Sequence, residues 1–334
     1  MQKYFFILLG VILTYTLISC NEGGTESEEL LPGRRDYNWS EDTLHFPGDA
    51  SLTIINMYVE SYNSIYFVGD AYSDPFCFIH YDGNEFEALN NTSYHNFYSV
   101  VSFKDRLFIG DGWGNISEYI ENKGLTRIKS FKNQPRLYKT EFQDNKLYFS
   151  GPNTSPSILS GISIISYDGT NWLEEYSNYE IKQNVTSMLG LGNGNFLLSC
   201  RSLTNNKILT LDLIQNKENI RDIEKSGDFF RLGKRIFYNS YDGNIHEWGN
   251  NDFIGTIELK ENVVHGVIRG RNLNDFFMYS VNAINHYNGK DMIPVYSFQE
   301  YYGVHGIFVG EDFVVFLVKA DFSNYYLLLR GRLN

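Results

Sequence analysis

A short strand pattern recurs seven times along this chain and limits the fold more than any other feature of its sequence. In the first copy, Asn63-Ser64-Ile65-Tyr66-Phe67-Val68-Gly69-Asp70, β-branched and aromatic residues precede a Gly-Asp turn. The copies are 42, 40, 49, 40, 40 and 38 residues apart and centre on Ile65, Leu107, Leu147, Phe196, Ile236, Phe276 and Val314. A repeat of about 40 residues made only of strands and turns is typical of β-propeller blades. We therefore expect an all-β chain that forms a single seven-bladed β-propeller, with six or eight blades as the alternatives.

The two ends of the repeat array are incomplete in complementary ways. Each blade should contain four strands, A to D, from the channel outward, but residues 324–333 read as a third strand with no fourth after it. A strand-like segment at residues 36–46 precedes the first complete repeat. We expect this N-terminal strand to close the ring as the outermost strand of the last blade.

Tyr-Asp-Gly turns punctuate the repeats. Tyr81-Asp82-Gly83, Tyr167-Asp168-Gly169 and the related Tyr287-Asn288-Gly289 fall between strands C and D, where a type I′ turn with two residues of positive φ is expected. A fourth copy, Tyr241-Asp242-Gly243, behaves differently. Blade five aligns without gaps on blade two, 129 residues earlier, and this alignment places the fourth copy between strands B and C. The C–D turn of blade five should then be at residues 249–252.

The N-terminal segment has the pattern of a lipoprotein signal peptide. Lys3 precedes an apolar run at residues 4–17, and Leu17-Ile18-Ser19-Cys20 resembles a bacterial lipobox. The resemblance implies cleavage after residue 19 and attachment of lipid, including palmitate, to Cys20. We divide the chain into a signal peptide (1–19), a disordered acidic tether that starts at the lipidated cysteine (20–35) and the propeller (36–334).

The turn Tyr167-Asp168-Gly169-Thr170-Asn171-Trp172 resembles the Tyr-Asp-Gly-x-x-Trp blade turns of propeller lipoproteins of the Bacteroidota. The acidic stretch after Cys20 is similar to the export signal of surface lipoproteins in that phylum. These resemblances imply a lipid-anchored protein of the bacterial outer membrane, exposed at the cell surface, with the periplasmic face as the alternative. Members of the family are largely uncharacterised, so the resemblance implies little about the ligand.

The net charge and the cysteine content limit which partners and cofactors are expected. The net charge of −12 without basic clusters argues against nucleic acid, and the lipid on Cys20 is the expected contact with the membrane. Cys77 and Cys200 fall in blades one and four, near the second strand of each, and are too far apart for a disulfide. We expect two buried thiols, no cofactor and no metal.

Candidate ligand contacts lie in the loops, because propellers bind on the face formed by their B–C and D–A loops. Aromatic, carboxylate and amide side chains in these loops suit sugar stacking or a protein contact, although turns alone also favour them. The candidate ligand-binding residues are Asp70, Tyr72, Asp74, Asp111, Trp113, Arg201, Asn239, Tyr241, Asp242 and Asp321.

Two histidines share a register on strand A of neighbouring blades. His265 and His305 could lie side by side in the channel as a ligand or metal site, or could form hydrogen bonds between blades. No third ligand lies in register with them, which favours the second interpretation.

The pattern as a whole predicts a binding or scaffold protein that recognises a glycan or a protein. The alternative is a polysaccharide-active enzyme, a glycoside hydrolase or lyase, on a propeller scaffold. Arginines are few and scattered, and no catalytic set can be assembled from equivalent strand positions, so we assign no catalytic residue.

Overall fold

A computed structural model describes residues 32–45, 52–71, 77–89, 96–155, 158–181, 183–202, 205–241, 243–257, 267–280, 282–298, 302–320 and 325–334. Over these residues the chain contains 28 strands in seven antiparallel four-stranded sheets, and no helix. Accordingly, no helix within these ranges could cross a membrane. The predicted signal peptide and Cys20 lie outside the described residues.

Each sheet forms one blade, and strands are numbered in chain order. Blades one to three consist of β2 (Leu52–Ser61), β3 (Ser64–Ala71), β4 (Phe78–Tyr81), β5 (Phe86–Ala88); β6 (Phe97–Phe103), β7 (Arg106–Asp111), β8 (Asn115–Ile120), β9 (Gly124–Ser130); and β10 (Lys139–Gln143), β11 (Lys146–Ser155), β12 (Ile158–Tyr167), β13 (Trp172–Asn178). Blades four and five consist of β14 (Asn184–Gly192), β15 (Asn195–Arg201), β16 (Asn206–Asp212), β17 (Lys217–Ile223); and β18 (Gly227–Leu232), β19 (Arg235–Ser240), β20 (Ile245–Gly249), β21 (Asp252–Ile257). Blade six consists of β22 (Arg269–Asn272), β23 (Asp275–Ser280), β24 (Ala283–Tyr287) and β25 (Met292–Ser297), and blade seven of β26 (Tyr302–Val309), β27 (Phe313–Ala320), β28 (Tyr325–Leu333) and β1 (Tyr37–His45).

The strand A of each blade lies beside the strands A of its two neighbours. Contacts run in order through β2, β6, β10, β14, β18, β22 and β26, and β26 contacts β2 again. The seven strands A therefore surround a central channel. This arrangement confirms the predicted all-β, seven-bladed propeller.

Strand β1 closes the ring, as predicted. It pairs with β28 over nine residues, from Tyr37 opposite Leu333 to His45 opposite Tyr325. Blade seven thus combines strands from both ends of the described chain. We call the contact between β1, β28 and the first turn of blade one the closure seam.

The recurring sequence pattern is strand B in all seven blades. Its repeat positions lie on β3, β7, β11, β15, β19, β23 and β27, and most of them are fully buried between neighbouring sheets. The pattern was visible in the sequence because strand B packs on both faces, so it reads as a short, nearly continuous apolar run.

The Tyr-Asp-Gly turns connect strands C and D as expected, but the predicted type I′ geometry is wrong. Only the glycine has a positive φ, 99° at Gly83 and 105° at Gly169. In blade three, Asp168 Oδ1 accepts hydrogen bonds from the N–H groups of Thr170 and Asn171, both at 2.7 Å. The aspartate side chain closes a four-residue loop, so a second residue of positive φ is not required.

Paired positive φ values occur instead at A–B turns. Lys104 and Asp105 have φ of 52° and 58°, and Asp144 and Asn145 have φ of 50° and 58°. In these two blades the tight hairpin turn consists of the residue before the repeat copy and the first residue of the copy.

Tyr241 follows β19 and precedes β20, which confirms that the fourth Tyr-Asp-Gly copy lies between strands B and C. The C–D turn of blade five lies between Trp248 and Phe253, as the alignment predicted. In blade three, strands β11 and β12 extend their pairing as far as Ser155 and Ile158. A bulge between Pro152 and Thr154 lets the ladder continue past the proline.

Both described cysteines are buried thiols in different blades. Cys200 lies on β15, strand B of blade four, as expected, whereas Cys77 immediately precedes β4, strand C of blade one. Burial raises the pKa of Cys200 to about 12, which makes this thiol a poor nucleophile.

Candidate functional site

Because each blade is an antiparallel meander, its connections alternate between two faces of the ring. The A–B and C–D turns lie on one face, and the B–C and D–A connections lie on the other. Strand A begins at this second face. We call the end of the channel at this face, lined by the first residues of the strands A and by the B–C loops, the channel mouth.

Polar side chains from blades four and five meet at the channel mouth. Asp228, on β18, lies opposite Asn239 on β19. The hydroxyl of Tyr241 donates a hydrogen bond of 3.3 Å to Asp228 Oδ2. The guanidinium carbon of Arg201 lies 5.4 Å from the ring centroid of Tyr241, a cation–π distance. The structure thus brings together Arg201, Asn239 and Tyr241, three of the predicted residues, around an aspartate that was not predicted.

Asp228 is only half satisfied. Its Oδ1 atom is buried and has no hydrogen-bond partner among the described residues. Burial raises the pKa of Tyr241 to about 12, and the charge of Asp228 adds to this effect while Arg201 opposes it. Tyr241 is therefore a neutral hydrogen-bond donor at physiological pH, and Oδ1 remains available as an acceptor.

Two cations from other blades face this aspartate. Lys139 on β10 pairs with Ser150, and Asp228 on β18 pairs with Asn239. Ser150 and Asn239 are each the third residue after the repeat position of strand B, so Lys139 and Asp228 lie at the same depth in the channel. Arg269 is the first residue of β22. Lys139, Asp228 and Arg269, with Arg201 and Tyr241, form what we call the mouth cluster.

Confinement in the channel perturbs these cations. Lys139 is half-buried and Arg269 is exposed to channel solvent, although many protein atoms lie near both side chains. Burial lowers the pKa of Lys139, an effect that Asp228 opposes and Arg269 increases. Burial also lowers the pKa of Arg269 against the attraction of Asp228 and Glu141. Contact with solvent limits the size of both pKa shifts. Their direction indicates that the nearby carboxylates do not fully offset the cost of burying the two cations.

Deeper in the channel, a glycine links two charged residues of neighbouring blades. Gly190 donates its N–H to the carboxylate of Glu141, and its carbonyl accepts a 2.5 Å hydrogen bond from Arg231. Burial raises the pKa of Glu141 to about 7, even though this hydrogen bond, Arg231 and Arg269 favour the charged form. A Cβ at Gly190 would lie 2.6 Å from Gln143 Oε1, so a larger residue here would displace the Gln143 side chain.

The strands A of blades one, two, four and seven each contain a β-bulge near the channel mouth. The bulged residues are Ile55, Tyr98, Thr186 and His305. In blades three and five the A–B ladder is unbroken, and these blades carry Lys139 and Asp228. Because a bulge redirects side chains, the bulged strands A line the mouth differently from the unbulged strands A of blades three and five.

His305 is the bulged residue of blade seven and forms an inter-blade contact. Its Nδ1 lies 3.2 Å from the carbonyl oxygen of Ile54 in blade one, and its ring meets Tyr326 edge-on. Burial lowers its pKa, although the side chain reaches channel solvent. This contact matches the inter-blade interpretation, while His265, its proposed neighbour, lies outside the described residues.

The B–C loop of blade two contains one predicted residue that forms the turn and another that is exposed to solvent. Asp111 is 3% exposed, and its Oδ1 accepts hydrogen bonds from the N–H groups of Trp113 and Asn115, both at 2.8 Å. Trp113 is 58% exposed. Asp111 therefore shapes the loop, and Trp113 is the side chain that the loop presents to solvent.

A second polar group lies between blades one and three. The ring of Tyr98 packs edge-on against Tyr138 at 4.5 Å, and Arg136 donates a 3.1 Å hydrogen bond to the Tyr138 hydroxyl. Asp70 interacts electrostatically with both Tyr98 and Arg136. Asp70 therefore lies near the channel mouth but outside the mouth cluster. The remaining predicted contacts, Tyr72, Asp74, Asp242 and Asp321, lie outside the described residues.

Other polar sites in the described part of the chain are less suited to bind a metal ion or a ligand. No group of three or more His, Cys, Asp or Glu within the described ranges could hold a metal ion. Two grooves of about 400 Å³ lie between blades three and four, near Tyr148, Glu175 and Glu218. In these grooves Lys146 and Ser166 bind Glu175, and Tyr176 and Asn178 bind Glu218. These carboxylates therefore already have protein partners, and none of the predicted residues lines the grooves.

Lys139, Asp228, Glu141 and Arg269 lie in strands A, outside the loops in which ligand contacts are expected, so the sequence pattern did not indicate them. A usable signal was present, since Lys139 and Asp228 each lie eight residues before the repeat position of their own blade. The same offset in blades one, two, four and seven holds Met57, Ser99, Met188 and Gly306. At this offset, a charged residue distinguishes blades three and five from those four blades.

Comparisons with known proteins support the architecture. No protein-family model matches the chain, and no curated protein sequence matches it significantly. Among solved structures, YCF48 bound to D1 peptide aligns with a TM-score of 0.63 at 15% identity, covering 92% of this chain and 99% of that chain. Virginiamycin B lyase from Staphylococcus aureus aligns with a TM-score of 0.63 at 12% identity, covering 89% and 100%. The WD40 repeats of RRP9 align with a TM-score of 0.61 at 11% identity, covering 90% and 99%.

These similar structures place the chain in the class of seven-bladed β-propellers. At 11–15% identity the likeness extends to the fold alone. A peptide-bound protein, a lyase and a WD40 domain share it, so function must be argued from this chain's own residues.

Proposed function

We propose that this protein is a lipid-anchored binding protein whose propeller recognises its ligand at the channel mouth. The observation that carries the proposal is the convergence of Arg201, Tyr241 and Asp228, from two blades, around a buried acceptor atom that has no partner within the described ranges. This atom lies beside Arg201 and Tyr241 at the channel mouth, where a bound ligand can supply the missing partner. The fold is compatible with this role, since YCF48 was solved with a bound D1 peptide.

Arrays of glycans and peptides probed with the full chain test this proposal. We expect substitution of Arg201 or Tyr241 by alanine to abolish capture of the bound ligand. Matched controls lie on the opposite face of the ring, where Lys234→Ala removes a charge and Ile214→Ser removes an apolar side chain that is 75% exposed. Capture that survives both mouth substitutions would refute the assignment of the site, and hydrolysis of an arrayed glycan would favour the enzyme alternative.

We further propose that lipid on Cys20 anchors the propeller to the bacterial outer membrane, on the cell surface. The support is the order of Lys3, the apolar run, the lipobox-like sequence and the acidic tether. The blade turn ending in Trp172 adds the resemblance to propeller lipoproteins of the Bacteroidota.

Labelling with an alkyne analogue of palmitate tests the anchor. The wild-type chain should be labelled, and Cys20→Ser should not be. Protease added to intact cells should digest the propeller. Full protection from protease would contradict surface exposure and place the protein on the periplasmic face.

A further inference from the structure

The channel at and below the mouth cluster has a surplus of positive charge within an acidic protein. The chain carries a net charge of −12, yet none of the ion pairs among the described residues includes Lys139, Arg231 or Arg269. Three channel cations therefore face two carboxylates, Asp228 and Glu141, without a direct pair. An anionic group is the natural complement of this arrangement.

The same cluster also calls for a hydrogen-bond donor. Asp228 Oδ2 is bound by Tyr241, whereas Oδ1 is buried and unpartnered among the described residues. A fully ionised phosphate or sulfate would offer only acceptors beside this carboxylate and would be repelled by it. The ligand must therefore carry an anionic group and a donor close together.

The two cations and the aspartate lie in different blades, so the anionic group and the donor of a ligand can bind at separate points. Lys139 and Arg269 belong to blades three and six, and Asp228 belongs to blade five between them. A carboxylate can lie between the two cations while a neighbouring hydroxyl reaches Asp228. A sugar acid has this chemistry, because its carboxylate is attached to a ring that carries vicinal hydroxyls.

We propose that the channel mouth binds a uronate residue of an acidic polysaccharide, with its carboxylate on Lys139 and Arg269 and a ring hydroxyl on Asp228. This inference rests on the binding function proposed above. A peptide C-terminus is less suited, because the members of the mouth cluster other than Tyr241 are all charged and offer little apolar surface to a terminal side chain. The lowered pKa of both cations is consistent with the proposal, since a bound carboxylate would restore the charge balance.

Isothermal titration calorimetry with the full chain in detergent micelles tests the proposal. The probes are tetrasaccharides of galacturonate, of alternating glucuronate (from hyaluronan) and of mannuronate. The methyl ester of each probe serves as a neutral control, and a peptide with a free C-terminus is compared with its amide. We expect at least one free uronate to bind and its methyl ester to bind at least about tenfold more weakly, with affinity that decreases as salt rises.

Variants locate the site. Lys139→Met and Arg269→Met should each weaken uronate binding at least about tenfold, and Asp228→Asn should weaken it because an amide is a poorer acceptor for the ring hydroxyl. Lys234→Met, on the opposite face, should bind like the wild type. Circular dichroism of each variant separates loss of binding from loss of fold.

Three results would overturn the proposal: no binding of any of the three uronates, equal binding of their esters, or binding that the mouth variants leave unchanged. Selective binding of the free-carboxylate peptide would assign the cluster to peptide termini instead. Array capture of a neutral ligand that depends on Tyr241 would uphold the proposed binding function while rejecting the uronate.

Discussion

The closure seam and the channel mouth both enclose charge, and they do so in opposite ways. At the seam, Arg330 is 5% exposed and donates hydrogen bonds of 2.8 Å to Asp42 and to Asn63. Its guanidinium also lies over the rings of Tyr62 and Tyr81, at 4.7 and 4.8 Å. At the mouth, Lys139 and Arg269 face Asp228 without a direct ion pair, and one oxygen of that aspartate has no partner among the described residues.

This difference distinguishes a charge that stabilises the fold from a charge that is available to bind a ligand. A buried ion pair with good geometry compensates its own desolvation, and removing one partner is strongly destabilising. An enclosed charge without a pair weakens the fold, so its retention points to function. The following predictions test this distinction, from the largest expected effect to the smallest.

Arg330→Ala should lower the free energy of unfolding by about 3–5 kcal/mol, because it leaves Asp42 without its partner and opens the closure seam. Urea denaturation followed by circular dichroism measures the loss. Arg332→Ala is the matched control, since Arg332 lies on the same strand, is exposed and contacts the Tyr62 ring. If both variants lose the same stability, the seam would not depend on the buried pair.

Glu141→Gln should remove a pH dependence of stability. The raised pKa of Glu141, about 7, means that the folded protein keeps a proton that the unfolded chain releases near pH 4.5. Stability therefore falls as pH rises through this window, by about 1–2 kcal/mol once channel water is considered. Thermal unfolding between pH 5 and 8 should show this slope in the wild type and a flatter one in the variant.

The groups that face Glu141 are the Gly190 N–H, Arg231, Arg269 and, on its own strand, Lys139. Glu121→Gln, in an exposed turn of blade two, should leave the slope unchanged. An unaltered slope in Glu141→Gln would mean that another group titrates in this range.

Lys139→Met should leave the free energy of unfolding unchanged or raise it by up to about 1 kcal/mol, because it removes a confined cation that has no direct pair. The same substitution should abolish ligand binding at the channel mouth. Denaturation and calorimetry on one preparation measure both effects. A loss of 2 kcal/mol or more would place Lys139 with Arg330 among the charges that hold the fold.

Trp113→Ala should change stability by less than about 0.5 kcal/mol, because the side chain is largely exposed. A ligand that extends from the mouth towards blade two should lose at most about fivefold in affinity, as expected of a contact at the rim. Ile214→Ser, at an exposed turn of the opposite face, should affect neither property. A large stability loss in Trp113→Ala would show that the loop packs against the ring.

Much of the fold could be predicted because its signals are local. Strand B is buried on both faces, so each copy of the pattern around Ile65 marks one blade. The alignment of blade five on blade two also placed Tyr241 between strands B and C. The turn geometry at Asp82 was mispredicted because an Asp-Gly pair suits both a type I′ turn and a loop closed by the aspartate side chain, and only the backbone distinguishes them.

The candidate site was predicted only in part. Arg201, Asn239 and Tyr241 were found because they belong to loops, and the structure brings them to the channel mouth. Lys139, Asp228 and Arg269 were not found, because each lies in a short strand and has no significance until its neighbours across the channel are known.

The sequence by itself determined the repeat, the number of blades and the strand that closes the ring. These depend on residues within about 40 positions of one another and on the incomplete repeats at either end. Only the tertiary structure decided which charges meet at the channel mouth, since Lys139 and Arg269 are 130 residues apart in the chain. Closure of the ring turns that separation along the chain into proximity across a channel, and no local pattern encodes such proximity.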